Sequence, residues 1–264
     1  MIITLTSDMG LKDYYVASLK GSILKELSDV TIVDISHDIP PFDISNAAFV
    51  IKNCFNDFPK GTIHIISIVP EQTTEAKHVI ISYNDQYFIG ADNGIFSLIF
   101  DKIPDGIWQI TLNEDSEDYS FPTKNIFIKA ACHLARGGLP SVIGLALESI
   151  NTRQLFRAIA DTNSIKGTIR YIDAYGNLIT NISKELFYKV ASQREFKLFL
   201  SLSEYTISKI YKKYGDVPDG EVLALFSSSG FLEIAINKGV DGSGGGANQL
   251  FGLKINDTIS IDFY

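Results

Sequence analysis

Hydrophobic residues follow two different periods along this chain, and the change between them constrains the fold more than any other feature. Up to about residue 150, short β-branched runs such as Ile2 to Thr6 and Val30 to Ile35 alternate with stretches of helical spacing, the first being Asp13 to Leu27. Strands that alternate with helices are typical of a mostly parallel sheet with helices on its faces. We therefore expect a mostly parallel α/β sandwich domain over residues 1–155.

The same patterns place the other elements of this half. Asp43 is expected to cap the second helix, and Gly137-Gly138 to end the last one. The further elements expected are helices at Ile44 to Phe58 and Asn125 to Arg136, and strands at Thr62 to Val69, His78 to Tyr83, Tyr87 to Gly90 and Ile107 to Leu112.

Period two dominates after about residue 150 and predicts a second, smaller, mainly β domain over residues 165–264. A polar stretch from Thr152 to Ser164 would join the two domains, and a chain of 264 residues is long enough for both. The strands expected there are Thr168 to Asp173, Leu178 to Ile182, Phe196 to Leu202, Glu221 to Phe226 and Phe231 to Asn237.

Charge restricts the partners of the chain. Its 31 acidic and 23 basic residues give a net charge of −8. Nucleic acid and anionic membrane surfaces need a concentrated cationic face, so neither is expected as the main partner. Small neutral or cationic ligands fit better.

Cysteine usage and the first residues indicate a cytoplasmic protein. Cys54 and Cys132 each lie in an apolar helical pattern, so a disulfide framework is not expected and a reducing compartment is. The segment Met1 to Thr6 has the features of a first strand, not of a signal peptide. No apolar run approaches the roughly 20 residues of a membrane span.

Polar loops after the first strands are the first places to search for a site, because ligands of open α/β sheets bind at the carboxyl ends of strands. Asp8 could accept hydrogen bonds from a sugar diol, or it could cap a turn. His37 fits a hydrogen-bonded structural histidine better than a base. Asp92 and Asn93 could hold a base or ribose, although Asp-Asn-Gly also suits any tight turn.

The second half offers polar groups at its turns. Asp173 and Asn177 fall on a hairpin tip, and Ser227 to Ser229 could present hydroxyls to a carboxylate. The tract Gly242 to Gly246 lacks the Lys-Ser/Thr of a phosphate loop and is expected to be a mobile loop.

Familiar catalytic motifs are absent from the sequence. It contains no Gly-x-Ser-x-Gly elbow, no dinucleotide-binding glycine fingerprint after a strand and no His-Glu-x-x-His. His64 and His133 are expected in the core. Residue types alone thus predict a two-domain pocket protein with sugar-compatible loops, and no particular reaction.

A set of short segments, in order along nearly the whole chain, carries a more specific signal. They are Thr6-Ser7-Asp8-Met9-Gly10 with Asp13-Tyr14-Tyr15-Val16 and Lys20-Gly21, Asp34-Ile35-Ser36-His37, Ala91-Asp92-Asn93-Gly94, Tyr171-Ile172-Asp173 with Gly176-Asn177-Leu178-Ile179-Thr180-Asn181-Ile182, and Gly230-Phe231-Leu232-Glu233-Ile234-Ala235-Ile236-Asn237. Together they resemble the S-adenosylmethionine hydroxide adenosyltransferase family, the S-adenosylmethionine hydrolases related to the fluorinase and chlorinase.

The resemblance implies an α/β amino-terminal domain with a seven-stranded sheet and a β-barrel-like carboxyl-terminal domain. It also implies a homotrimer whose pockets lie between the amino-terminal domain of one subunit and the carboxyl-terminal domain of its neighbour. The family displaces methionine from C5′ of S-adenosylmethionine with water or halide. S-adenosylmethionine is then substrate or ligand, and no separate cofactor or metal is expected.

Residue by residue, the resemblance assigns binding roles. Asp8 would bind the ribose hydroxyls, while a second group would hold the methionine amino and carboxylate groups, since carboxylates pair with ammonium and hydroxyls donate to carboxylates. That second group is Asp173, Asn177 and Ser228. The expected ligand contacts also include Asp92, Asn93 and Phe231.

One departure concerns the attacking water. The hydrolases carry an Asp-Pro-Gly-Val loop followed by an Arg, and later a Phe-His-Gly-Arg-Asp segment, which supply an Asp, an Arg and a His proposed to activate water. Val69, Ala76 and Pro122 occupy these three positions here, and none can exchange a proton. The nearby groups that could orient water instead are Glu71, Glu75 and Lys77.

Three functional hypotheses remain open from the sequence. A sulfonium departs as a neutral thioether, so positioning and desolvation could support slow hydrolysis to adenosine and L-methionine. Alternatively, the pocket binds adenosine or S-adenosylmethionine without reaction. A third possibility is another nucleoside-like or carboxylate ligand.

Overall fold

The computed structural model describes residues 1–112, 120–200, 205–240 and 245–264 and divides into two compact units, Met1–Gln154 and Leu155–Tyr264. The first unit contains strands β1 (Ile2–Ser7), β2 (Thr31–Ser36), β3 (Ile63–Ser67), β4 (His78–Tyr83), β5 (Gln86–Ala91), β6 (Gly106–Ile110) and β7 (Gly144–Ala146), and helices α1 (Tyr15–Glu26), α2 (Ile44–Lys52), α3 (Ile95–Ile99), α4 (Ile128–Ala135) and α5 (Pro140–Ile143). A 3₁₀ turn at Phe55–Asp57 and a π-helical turn at Thr123–Phe127 complete it.

The seven strands form one sheet in the order β2-β1-β3-β5-β4-β6-β7. Strands β2, β1, β3 and β5 pair in parallel, whereas β4 pairs antiparallel with both β5 and β6, and β7 antiparallel with β6. Five strands therefore run one way, with β4 and β7 opposed. The expected mostly parallel sheet is confirmed.

The reversal at β4 has a local cause. Asn84 and Asp85 join β4 to β5 as a two-residue loop, and both have positive φ (52° and 59°). Such a loop matches the twist of an antiparallel hairpin, and Asn and Asp adopt this conformation at little cost.

Apolar burial accounts for the central strand of the sheet and for the helices that pack on it. All of β3 is buried, as expected for a central strand covered on both faces. Two helices, α1 and α4, contribute Leu19, Ile23 and Ala131 to the core formed with Ile3, Leu5 and Ile65 of the sheet. Apolar contact of this kind is the main source of the unit's stability.

Two expected helices are shorter in the structure. Asp43 caps α2 as predicted, its Oδ1 accepting from the Asn46 amide at 2.9 Å, but α2 ends at Lys52 and a separate 3₁₀ turn follows. The helix expected from Asn125 begins instead as the π-helical turn and becomes α4 only at Ile128. Helix α4 ends at Ala135, and the left-handed Gly137 (φ 83°) follows two residues later, so the predicted glycine stop is confirmed.

The second unit is mainly β, as expected, and its strands form a curled, half-barrel sheet. The order is β12-β11-β16-β9-β10-β15-β14-β13, with β8 paired to β9. Its elements are β8 (Ile159–Ala160), β9 (Ser164–Ile172), β10 (Leu178–Ser183), α6 (Lys184–Ala191), β11 (Phe196–Phe199), β12 (Thr206–Ile207), β13 (Ile210–Tyr211), β14 (Val222–Phe226), β15 (Phe231–Ile236), α7 (Ala247–Phe251) and β16 (Thr258–Phe263), with a 3₁₀ turn at Tyr214–Asp216.

Helix α6 was not predicted from the sequence. Ser183 caps it by accepting from the Leu186 amide at 3.1 Å, and Phe187 packs into the core of the second unit. The helix has only eight residues and lies between two segments with the period-two spacing of strands, so its own helical spacing was not recognised.

The histidines divide into two kinds. His64 is buried as predicted: its Nδ1 lies 2.7 Å from Thr4 Oγ1, its Nε2 lies 2.8 Å from Gln86 Oε1, and its ring stacks on Phe88. His133 is only partly buried, with Nε2 3.1 Å from the Leu139 carbonyl, so its core assignment was wrong. It lies close to the helix end, where Gly138 makes room for the ring.

Acid should destabilise the protein through His64. Burial lowers the pKa of His64 to about 4, whereas an unfolded histidine titrates near 6.5. The unfolded chain therefore binds the extra proton first, so the contribution is complete above pH 6.5 and is lost as the pH falls toward 4. We expect a slope of up to about 1.4 kcal/mol per pH unit from this group.

Urea unfolding at several pH values between about 4.5 and 7.5 measures the effect against His64→Gln. At the upper end of this range the variant should have a smaller free energy of unfolding than the wild type. As the pH falls, the free energy of unfolding should decrease less steeply in the variant. Parallel curves for the two proteins would contradict the assignment.

Candidate functional site

An open cavity of about 730 Å³ lies in the first unit, at the carboxyl ends of β1 and β3. This is where the sheet topology predicts a ligand site. Its lining residues come from the loops after three parallel strands, the start of α1 and the π-helical turn: they are Asp8, Met9, Tyr14, Tyr15, Ser18, Pro41, Phe42, Val69, Pro70, Glu71, Ser120, Phe121, Pro122, Lys124 and Asn125.

Aromatic rings form much of the cavity wall. The rings of Tyr14 and Tyr15 lie 4.5 Å apart, and Tyr15 meets Phe121 edge to face at 5.8 Å. Tyr14 is 70% exposed and Phe42 is 75% exposed. Exposed rings around a concavity suit a flat, partly apolar ligand.

The aromatic wall was not predicted from the sequence, where polar loops gave the stronger signal. The adjacent Tyr14 and Tyr15, at the start of α1 and close in sequence to Asp8, were the available signal.

Asp8 is one of the polar residues that line the cavity. It follows β1, and its Oδ2 accepts a hydrogen bond from the Phe42 amide at 2.8 Å. Its Oδ1 has no hydrogen-bonding partner within the described part of the chain. Both interpretations of Asp8 are thus compatible: one oxygen fixes a loop and the other is open to a ligand.

Two residues of the wall have left-handed backbone conformations. Phe42 has φ 66° and Val69 has φ 47°. This region is uncommon for aromatic residues and rarer for β-branched ones, and each instance costs about 1–3 kcal/mol. The surrounding contacts must therefore hold both loops in place.

Asn93 provides part of that support. Its Nδ2 donates to the carbonyls of Ile68 (2.9 Å) and Val69 (3.3 Å), and so fixes the loop after β3. Asp92 is buried and its Oδ2 accepts from the Asn151 amide at 2.9 Å. Burial raises the pKa of Asp92 in spite of that bond. Neither residue lines the cavity; both lie behind its wall.

Of the three residues proposed from the sequence to orient water, only one lies at the cavity. Glu71 lines the cavity, whereas Glu75 and Lys77 do not. Glu75 accepts at its backbone carbonyl from Asn151 Nδ2 (2.7 Å), and the Lys77 carbonyl accepts from the Asp92 amide (2.7 Å).

Of the three positions where the hydrolases carry the Asp, Arg and His proposed to activate water, two line the cavity. Val69 and Pro122 are in its wall, so apolar surface lies where the resemblance places proton-exchanging groups. Ala76 lies outside the lining and donates its amide to Thr73 Oγ1 at 2.8 Å.

Two further features of the wall could not be read from the sequence. His78 is buried and donates from Nε2 to the Pro70 carbonyl at 2.8 Å; burial lowers its pKa, so the neutral ring holds this loop. The π-helical turn contributes Lys124 and Asn125 to the cavity, and Ser67 Oγ anchors its start through Thr123 Oγ1 at 2.5 Å. Single π-helical turns are frequent at functional sites.

In the second unit, Asp173 and Asn177 come together on the turn between β9 and β10. Asp173 Oδ1 accepts from the amides of Tyr175 and Asn177, both at 2.9 Å, and Asp173 Oδ2 accepts from Asn177 Nδ2 at 3.0 Å. Gly176 has φ 78°, a conformation this turn requires. The carboxylate is thereby held rigidly.

A second carboxyl group, missed in the sequence, belongs to the same turn region. Glu233 on β15 is 2% exposed, and Tyr214 donates its hydroxyl to Glu233 Oε1 at 2.7 Å. Burial raises the pKa of Glu233 and the charge of Asp173 raises it further. A polar residue within the apolar alternation of β15 was the only signal. Two carboxyl groups make a local field that favours a cation.

Ser228 and Phe231 follow in the turn between β14 and β15. Ser228 is exposed, and its partly buried neighbours Ser227 and Ser229 are hydrogen bonded to each other at 2.8 Å. Phe231 packs under the Arg170 guanidinium, 5.2 Å from the ring centroid. Of the predicted mobile tract Gly242 to Gly246, residues 242–244 lie outside the described residues.

The described ranges contain neither a metal cluster nor a membrane-spanning helix. Within them, no group of three His, Cys, Asp or Glu side chains is placed to hold a metal ion. No helix in the same ranges combines the length and apolarity needed to cross a bilayer.

The fold and the cavity define an α/β protein that binds a small molecule and has a curled β unit at its carboxyl end. Comparison with known families identifies the family to which it belongs. The amino-terminal domain of S-adenosylmethionine hydroxide adenosyltransferases matches residues 3–144, and the carboxyl-terminal domain matches residues 167–260. The chain belongs to the S-adenosylmethionine hydroxide adenosyltransferase family.

Its relatives match over nearly their whole length. An (R)-S-adenosyl-L-methionine hydrolase of Methanocaldococcus jannaschii is 30% identical, covering 98% of this chain and 95% of the relative. A fluorinase of Nocardia brasiliensis is 24% identical, covering 89% and 90%. A solved structure described as an uncharacterized conserved protein from Thermotoga maritima is 29% identical, with a TM-score of 0.86 over 99% of this chain and 100% of that one. The resemblance drawn from the motifs is confirmed.

Proposed function

We propose that this protein hydrolyses S-adenosylmethionine to adenosine and L-methionine. The observation that carries the proposal is Asp8, which presents one carboxylate oxygen inside an aromatic-walled cavity at the end of β1. A diol-binding carboxylate beside exposed rings suits an adenosine group. Family membership and full-length relatives named as hydrolases support the reaction, and they favour it over a binding protein without activity.

The reaction needs few catalytic groups. A water oxygen bonds to C5′, the C5′–S bond breaks with its electron pair going to sulfur, and methionine leaves as a neutral thioether while the water loses a proton. Charge on the sulfonium disperses as the bond breaks, so a desolvated site favours the transition state. Val69, Phe121 and Pro122 supply apolar surface for this purpose.

Glu71 is the carboxylate we propose as acceptor of the water proton, because it alone of the three candidates lines the cavity. General acid–base assistance is worth roughly 10²–10⁴-fold. A chain that lacks the Asp, Arg and His proposed for the hydrolases should therefore turn over slowly.

The methionine half of the substrate is assigned to the second unit. We propose that Asp173 and Asn177 bind its ammonium group and that Ser228 donates to its carboxylate, with Glu233 adding negative field. The homotrimer with intersubunit pockets and the cytoplasmic location stay predictions.

Incubation of the purified protein with S-adenosylmethionine should release adenosine and methionine in equal amounts, followed by chromatography. Glu71→Gln should lower kcat by about 100-fold, the lower end of what general base catalysis supplies, since the amide cannot accept the proton. Glu75→Gln is the matched control: it changes an exposed carboxylate of the same loop outside the cavity and should leave kcat unchanged.

Other outcomes discriminate between the hypotheses. Saturable binding with product no faster than buffer would identify a binding protein and reject hydrolysis. If neither adenosine nor S-adenosylmethionine binds, the ligand belongs to another class and the whole assignment fails.

A further inference from the structure

A row of hydrogen-bonded and ionic side chains lies behind Asp8, from the surface to the end of β1. Lys20 Nζ on α1 lies 2.5 Å from Asp34 Oδ2, and Asp34 Oδ1 lies 3.2 Å from His37 Nε2, an ionic distance with geometry short of a full hydrogen bond. His37 Nδ1 lies 2.6 Å from Ser7 Oγ. The proposed reaction uses none of these four residues.

The charge of Asp34 determines which atom donates and which accepts in each contact of this row. Partial burial raises the pKa of Asp34, but Lys20 and His37 outweigh it and the net pKa is lowered, so this carboxyl is ionised. A carboxylate beside Nε2 favours the imidazole tautomer that carries its proton there. The Ser7 hydroxyl then donates to Nδ1 of His37.

The row has the order of a nucleophilic triad but not its accessibility. Ser7 is 1% exposed and His37 is 4% exposed, so no substrate atom can reach the hydroxyl. Nucleophilic catalysis by Ser7 is therefore ruled out by burial, and the contacts must act on something adjacent.

His37 holds the chain on both sides of Asp8. Its ring binds Ser7, the residue before Asp8, and its carbonyl accepts from the amide of Gly10, two residues after it, at 2.8 Å. The Met9 amide also approaches Ser7 Oγ at 3.4 Å. Because Asp8 lies between these two attachments, they limit the positions that its carboxylate can take.

We propose that Ser7 and His37 are positioning residues that fix the Asp8 carboxylate for a vicinal diol, with Asp34 and Lys20 holding the His37 ring. The inference rests on the proposed function, since the diol is that of the adenosine ribose. Preorganised groups bind more tightly because less conformational freedom is lost on binding. Loss of the Ser7 hydroxyl should then weaken diol binding without altering the chemical step.

Calorimetric titration of Ser7→Ala tests this. Adenosine affinity should fall about tenfold, the upper range for one hydrogen bond. Affinity for 2′,3′-dideoxyadenosine should be equal in variant and wild type, because that ligand offers no diol to Asp8. In turnover, KM for S-adenosylmethionine should rise while kcat stays within about twofold.

Two further substitutions separate positioning from general damage. Ser36→Ala removes a hydroxyl at the end of the adjacent strand, bonded to the Asp38 amide at 3.1 Å, and should leave both affinities unchanged. His37→Asn keeps an acceptor near the Nδ1 position and should retain more adenosine affinity than His37→Gln. Thermal melting confirms that each variant is folded.

The outcomes are distinguishable from failure of the proposed function. If wild-type protein binds adenosine and Ser7→Ala binds it equally well, this inference alone is overturned. Equal losses for adenosine and the dideoxy ligand would indicate a merely structural role and also overturn it. Absence of adenosine binding by the wild type would overturn both.

Discussion

Asp8→Ala should weaken adenosine binding by about 10- to 150-fold. The substitution removes a charged acceptor from the ribose hydroxyls, and a hydrogen bond to a charged group contributes about 1.5–3 kcal/mol. The effect should exceed that of Ser7→Ala, because the binding group itself is lost and not only its support. Calorimetric titration with adenosine measures it.

Asp8→Asn is the matched control. The amide oxygen of the substituted side chain can still accept from the Phe42 amide, as Asp8 Oδ2 does at 2.8 Å, so the loop after β2 keeps its anchor while the charge is lost. The affinity of this variant should lie between those of wild type and Asp8→Ala. Unchanged affinity in the alanine variant would show that the ribose assignment is wrong.

Val69→Asp should raise kcat by about 100-fold, the lower end of what general base catalysis supplies. Val69 lines the cavity at the position where the hydrolases carry an aspartate, so the change places a proton acceptor beside the proposed water. It should also stabilise the fold by about 1 kcal/mol, because Asp adopts the left-handed conformation at Val69 (φ 47°) more readily than a β-branched residue.

Val69→Asn distinguishes the two effects. It relieves the same backbone conformation and has nearly the same shape as Asp, but it accepts no proton. Thermal unfolding should show similar stabilisation for both variants, and product release should accelerate only in Val69→Asp. Equal rates in the two would mean that the attacking water does not lie beside residue 69.

The candidate site residues of the two units were unequally visible in the sequence. Asp8 was identified because a polar loop at the carboxyl end of a first strand is a topological signal, and Asp173 with Asn177 because Gly176 between them marks a turn. Glu71 and Glu75 were equivalent in the sequence. Only the path of the loop after β3 separates them.

Supporting residues were the least predictable. Asp92 and Asn93 have the composition of a ligand loop, yet their side chains bind the backbone of Asn151, Ile68 and Val69 behind the wall. A carboxylate or amide has the same sequence signature whether its partner is a ligand or a distant peptide group. The partner is set by packing, and the sequence does not state it.

The sequence by itself determined the alternation of strands and helices, the change to period two, and the order of family motifs, because each is a local property of neighbouring residues. Tertiary structure alone decided that Phe42 and Val69 take left-handed conformations, that a π-helical turn presents Lys124, and that His37 binds on both sides of Asp8. These features depend on contacts between residues far apart along the chain, whose geometry is fixed only when the core closes.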